Sequence, residues 1–188
     1  MRPWIPLSLV LGALGCTSLD ALRLVRDPAS KVIRTEERVR ARADGSVRFF
    51  AVGDAGSRDE RGGMRASTVA VAALVEQVCG ARGGCDFGVF LGDNVYWAGI
   101  EDEADARFFR DFTALYRARP ERPLYFVLGN HDYDPIVAQS SRAASQLDAI
   151  AALSGRGVRG RAQFYGFEAG PLFLTAWDTS ALVRGCED

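Results

Sequence analysis

The sequence predicts an α/β fold, a sheet covered by helices, and three observations lead to it. Short apolar, β-prone runs alternate with longer segments of helical spacing. The first three of those runs end alike, in Gly53-Asp54, Gly92-Asp93 and Gly129-Asn130. The composition, 48% hydrophobic and 25% charged over 188 residues, is globular and long enough for one domain with its own core.

Taken in order, the chain opens with "MRPWIPLSLVLGALGC", one basic residue (Arg2) followed by an apolar run to Gly15. That run is about a dozen residues, too short to span a bilayer and suited to an export signal. Cys16 follows small and apolar residues, so residues 1–16 resemble a signal peptide with a lipobox-like end, although Ala13 stands where Leu is usual. The expectation is lipidation at Cys16, which would anchor the protein to a membrane outside the cytoplasm; a plain signal peptide cut nearby is the alternative.

Residues 17–46 are polar and Arg-rich and read as a tether leading to a domain at 47–188. "VRFFAV" is a first strand, and a Gly-rich loop follows. "MRASTVAVAALVEQVCG" has helical spacing, with Gly80 placed as its C-cap. "DFGVFL" is a second strand. "EDEADARFFRDFTALYRA" is an amphipathic helix, acidic at its start, with Phe108, Phe109, Phe112, Leu115 and Tyr116 on one side. "PLYFVL" is the third strand, "SRAASQLDAIAAL" a helix and "SGRGVRGRA" a flexible loop. "QFYGFEAGPLFLTAWDTS" gives two strands joined by a turn at residues 168–171. The pattern contains no repeat of 20 to 50 residues.

The formal net charge of −1 does not suggest a nucleic-acid binder, which would show a strong positive excess. The basic residues are nearly all Arg, with Lys31 the exception, a bias of composition rather than of function. Export would place Cys79, Cys85 and Cys186 in an oxidising compartment. Cys79 and Cys85 flank "GARGG" and can close a small disulfide ring. A metal site there is the weaker alternative, since the spacing is not C-x-x-C and no His is near. Cys186 is left over.

Three strands that end alike point to a site. In open α/β sheets ligands bind at the carboxyl ends of the strands, and a Gly there permits a sharp turn and close approach to backbone. Asp54, Asp93 and Asn130 would then share one crevice. Carboxylates that converge repel each other unless a cation neutralises them, and an oxygen donor set of this kind suits Mn, Fe or Mg and tolerates Zn. One Gly-Asp after a strand is an ordinary turn; three at successive strand ends are a constellation. There is no G-x-G-x-x-G after the first strand and no Walker-type Lys, so a nucleotide-binding module is poorly supported.

"GDAG", "GDNVY" and "GNHDY" resemble the first three motifs of the calcineurin-like metallophosphoesterases, and Tyr96, three residues after Asp93, makes the match closest to the purple acid phosphatase branch. The resemblance runs from Val47 to Thr179 and includes "LFLTAWDTS". It implies the first half of a four-layer α-β-β-α metallophosphoesterase sandwich, truncated, whose complete site would hold two metal ions (Fe, Mn or Zn). Asp54 would bind the first metal, Asp93 would bridge both, Tyr96 would be a phenolate ligand and Asn130 would bind the second. A metal-held hydroxide would attack phosphorus in line. His131, the single histidine, would stabilise the phosphoryl oxygens or protonate the leaving alkoxide, with Asp132 holding or polarising it. For Tyr96 the alternative is packing in the aromatic-rich "NVYWAG" loop; for His131 it is capping a turn. Asp178 in "WDTS" is expected to be structural.

The family pattern also includes histidines of V-x-x-H and G-H-x-H kinds, which this sequence does not contain. The domain is therefore expected to be incomplete at its C-terminus, with the apolar face of "PLFLTAW" partly uncovered. Two functions stand side by side: a metal-dependent phosphoester hydrolase acting on phosphoester substrates, or a non-catalytic exported remnant or binding domain that keeps the scaffold. Substrate and oligomeric state are not encoded legibly.

Overall fold

The structure is a computed structural model that describes residues 33–133, 140–160 and 162–180. The export segment, Cys16 and Cys186 lie outside the described residues. Among the described residues, seven strands form two sheets. β2 (Phe49–Val52), β3 (Phe87–Leu91), β4 (Leu124–Val127) and β5 (Val158–Arg159) make a four-stranded parallel sheet in that order. β1 (Ile33–Val39), β6 (Phe164–Ala169) and β7 (Leu172–Trp177) make a mixed sheet, with β1 parallel to β6 and β6 antiparallel to β7. Three helices connect the parallel strands: α1 (Ala66–Ala81), α2 (Glu103–Leu115) and α3 (Ser140–Ala152). No described helix is long and apolar enough to cross a membrane.

The two faces of the parallel sheet are covered by different partners, and the second only in part, since Phe49 and Leu91 are 44% and 60% exposed. On one face the helices close over Phe90 and Phe126, which stack at 4.6 Å, and α2 contributes Phe108, Phe109 and Phe112 from a single stripe. Full burial of one such side chain contributes roughly 1.5–3 kcal/mol. The helix begins where the sequence requires it: the Asp102 carboxylate accepts from the backbone N–H of Ala104 at 2.7 Å and of Asp105 at 3.0 Å. Glu103 and Asp105 in the first turn complement the helix dipole. On the other face the mixed sheet packs through aromatic contacts, Tyr125 on Phe167 at 3.6 Å and Phe87 edge-on to Phe167 at 5.7 Å. The order of layers is thus helices, parallel sheet, mixed sheet.

Several elements differ from the sequence reading. β1 lies inside the stretch read as a tether. Its "IRTEERV" has no apolar alternation, and its strand state comes from pairing with β6, supported by the Arg38–Glu168 ion pair at 2.9 Å. β5 falls in the stretch read as a flexible loop: Val158 is fully buried beside β4, and the Leu124 N–H donates to the Gly157 carbonyl at 2.8 Å. α1 runs one residue past Gly80. Its end is made by Gly83 and Gly84, both at positive φ, with the Gly84 N–H donating back to the Cys79 carbonyl at 2.7 Å. Cys79 and Cys85 are joined by a disulfide with Cα atoms 5.1 Å apart, so the metal alternative for this pair falls. The outer edge of the mixed sheet is apolar and open, with Leu172, Phe173 and Trp177 between 41% and 56% exposed.

Candidate metal centre

β2, β3 and β4 are consecutive neighbours in the parallel sheet, so the loops that follow them emerge side by side. The Asp54 N–H donates to the Gly92 carbonyl at 3.2 Å, extending the β2–β3 pairing to the motif residues themselves. Asp54 and Asp93 both sit in the left-handed region, at φ 55° and 53°. That conformation is uncommon for any residue but glycine, is best tolerated by Asp and Asn, and recurs where side chains are aimed at a function. Gly129 has an ordinary extended backbone, and its requirement is closeness: a Cβ there would stand 2.3 Å from Asp93 Oδ1. The third strand end can press against the second only because that position carries no side chain.

The motif side chains meet. The Tyr96 hydroxyl donates to Asp54 Oδ1 at 2.5 Å and lies 3.0 Å from Asp93 Oδ2. The other Asp93 oxygen accepts from the His131 backbone N–H at 2.9 Å. Asn130 lines the same cavity as Asp54 and Asp93, a space of about 200 Å³. Asp54 is also part of a second cavity of about 320 Å³, whose wall includes Tyr96, Trp97 and His131. Burial, then the hydrogen bonds and charge of the two carboxylates, push the Tyr96 phenol well above its usual range.

Does this set suit a cation? Two carboxylates lie close enough to be reached by one phenol oxygen, a placement whose repulsion a donor relieves in part and a cation would relieve fully. The carboxylates, phenol and amide oxygen form an all-oxygen set appropriate to hard or borderline metals. Asp54, Asp93 and Tyr96, with Asn130 lining the same cavity, are the side chains whose oxygens could hold an ion here. Among the described residues no group of three or more His, Cys, Asp or Glu side chains is gathered for a metal, so the carboxylates contributed are these two.

His131 stands apart from the donor set in a telling way. Its Nδ1 is 2.8 Å from the Trp97 carbonyl, an atom that can only accept, so Nδ1 carries a hydrogen and Nε2 is the ring nitrogen left for chemistry. The ring packs on Tyr96 with centroids 4.4 Å apart.

Asp132 corrects the sequence reading. It was expected to hold or polarise His131, but its carboxylate turns the other way and is fully buried. It accepts from the backbone N–H groups of Asn94 at 2.8 Å, Val95 at 3.0 Å and Gly129 at 2.8 Å, and from Asn94 Nδ2 at 3.0 Å. Burial pushes its carboxyl up to about 7, against the lowering effect of the hydrogen bonds from Gly129, Val95 and Asn94. Asp132 thus ties the loop after β4 to the loop after β3. Asn94, which the sequence reading passed over inside "GDNVY", shares this work by donating to the Val127 carbonyl at 2.7 Å. The signal for both is long-range: they lie 38 residues apart. Asp178 is buried and accepts from the Tyr133 hydroxyl at 2.5 Å, away from the donor set.

The family model for calcineurin-like phosphoesterases matches residues 47–178, and the chain belongs to that family. Within it the chain is similar to purple acid phosphatases. It is 35% identical to purple acid phosphatase 7 of Arabidopsis thaliana over 121 residues, covering 63% of this chain and 35% of that protein. It is 37% identical to purple acid phosphatase 17 of the same plant over 110 residues, covering 57% and 31%. It is 38% identical to tartrate-resistant acid phosphatase type 5 of Homo sapiens over 99 residues, covering 48% and 29%. The matched part of the chain spans about a third of the length of these relatives.

Proposed function

We propose that the strand-end site serves metal-dependent hydrolysis of phosphoesters of the purple acid phosphatase type. The observation that carries this reading is the meeting of Asp54, Asp93 and Tyr96, from the loops after β2 and β3, through one phenol oxygen. Asp54 and Tyr96 would hold one cation, Asp93 would bridge to a second and Asn130 would hold that second one, with Fe, Mn or Zn as the metals. When bound, the cations supply positive charge that polarises a phosphoryl group and offsets its negative oxygens.

The chain's own residues supply the rest. The hydrogen bond from the His131 N–H to Asp93 locks the proton-transferring residue to the bridging carboxylate. With Nδ1–H committed to Trp97, Nε2 can act as a donor in the imidazolium form, where it would hydrogen-bond a phosphoryl oxygen or give its proton to the leaving oxygen and return to the neutral Nδ1–H ring. The cavity walled by Tyr96, Trp97 and His131 receives the ester. The Cys79–Cys85 disulfide supports export into an oxidising compartment, and a lipid on Cys16 would anchor the protein there. Cys16→Ala should move the protein from the membrane to the soluble fraction; a variant that stays with the membrane argues against the anchor.

A second reading rests on a different observation. The one histidine is pinned to a carbonyl, and the gathered donors are oxygens alone. A domain of that kind can bind a cation and a phosphate without turning an ester over. Purified protein incubated with Mn, Fe or Zn, dialysed, and assayed for metal content and for cleavage of an aryl phosphate separates the two. Metal with turnover supports the hydrolase; metal without turnover supports the binding domain; neither removes both.

A further inference from the structure

The 320 Å³ cavity beside the candidate metal centre has a wall that the reaction leaves unused. Opposite Tyr96 and His131 stand Ser57, Arg58 and Arg65, from the loop between β2 and α1. The volume falls within the roughly 300–1,000 Å³ typical of small-molecule pockets, so the space admits more than a single reacting group.

The two arginines do different things. Arg58 is turned into the fold: its Nη1 pairs with Asp105 at 2.5 Å and its guanidinium lies 4.3 Å over the Phe108 ring, while its Nε and Nη2 are buried without a hydrogen-bond partner. Arg65 is held from behind, by its Nε donating to the Arg58 carbonyl at 2.6 Å. That bond fixes the direction of the side chain and leaves its terminal nitrogens uncommitted to any carboxylate among the ion pairs of the described residues. The loop that carries it is braced. The Arg65 N–H donates to the Ser57 carbonyl at 3.1 Å, Arg58 and Met64 form an antiparallel bridge, and the Asp59 carboxylate accepts from the N–H of Arg61 and of Gly63, each at 2.9 Å. A guanidinium presented on a rigid loop toward a cavity is prepared to take a planar or tetrahedral oxyanion through paired N–H donors, at little ordering cost.

We infer that Arg65, with Ser57 on the same wall, forms a second-anion subsite, so that the substrates favoured by this site are phosphoesters bearing a further phosphate or carboxylate group. The inference rests on the phosphoester reading above: the first phosphoryl group lies against the metal donors and His131, and the second anion reaches across the cavity to Arg65. The exposed Trp97 ring on the same rim suits the organic part of such a substrate.

The test is a binding measurement rather than turnover. Metal-loaded protein is titrated calorimetrically with inorganic pyrophosphate and with inorganic phosphate, for the natural sequence and for Arg65→Gln and Arg65→Lys. The natural protein should prefer pyrophosphate by about tenfold, the ratio expected of one charge-assisted pair. Arg65→Gln should bring the ratio close to one, and Arg65→Lys should restore part of it. A ratio near one in the natural protein, or a preference that survives Arg65→Gln, overturns the subsite while leaving the phosphoester reading standing. Protein that binds metal but neither anion overturns both. Carboxylate and phosphate sources of the second anion are separated by repeating the titration with phosphoserine and with phosphoenolpyruvate, whose carboxylates should show a smaller Arg65-dependent gain than pyrophosphate.

Discussion

The loops at the carboxyl ends of the parallel sheet and the mixed sheet behind it are stabilised in opposite ways. The loops are polar and exact. Asp132 alone gathers four donors, and Asp93 receives Tyr96 and His131 on its two oxygens. The contact of the mixed sheet with the parallel sheet is apolar and tolerant: β6 meets it through broad aromatic faces, and the β7 edge carries exposed Leu172, Phe173 and Trp177. Hydrogen bonds are directional, so losing one partner strands the others; aromatic burial is spread over many contacts, and an exposed residue has few to lose. The molecule therefore concentrates sensitivity in the loops.

Substitutions can break that contrast. The largest effect belongs to Asp93→Ala, which removes the carboxylate common to both proposed cations. Metal affinity, read by metal content after dialysis, should fall by more than the ~100-fold seen when only a supporting group is lost. His131→Ala follows: metal content should hold while turnover, where the metal-loaded protein has it, drops by ~10²–10⁴. Loss of metal in this variant would place His131 among the ligands instead. Asp132→Ala comes next. It strands buried backbone donors from two loops and should lower unfolding stability in urea by about 3 kcal/mol. The smallest effect is Leu172→Thr on the open edge of β7, which should stay within about 0.5 kcal/mol by the same urea measurement. If Leu172→Thr cost as much as Asp132→Ala, the division into an exact region and a tolerant one would be wrong.

What could be read from residues was local or repeated. Asp54, Asp93 and Asn130 announce themselves because one device, strand then Gly then Asp or Asn, occurs three times in order. The Cys79–Cys85 bridge closes over a separation of six residues, short enough to see directly. α2 shows its acidic start and its Phe stripe within a few turns. The illegible parts depend on distant partners. β1 is a strand because β6 lies beside it, some 130 residues later, and "IRTEERV" carries no pattern to foretell that. β5 is two residues long, too short for any periodicity. Asp132 sits next to His131 in sequence, which invites a pairing that the backbone turn from Asn130 to Asp132 prevents.

The sequence by itself determined the class of fold and the family motifs, and it named the candidate oxygen donors, because those follow from residue type and spacing along one strand end at a time. Only the tertiary structure decided which way each side chain faces. It brought Tyr96 to both carboxylates, committed His131 Nδ1 to a carbonyl, turned Asp132 inward as a tie between loops, and set Arg65 against the cavity wall. Those outcomes depend on bonds between residues tens of positions apart, whose geometry exists only once the sheet has placed the loops side by side.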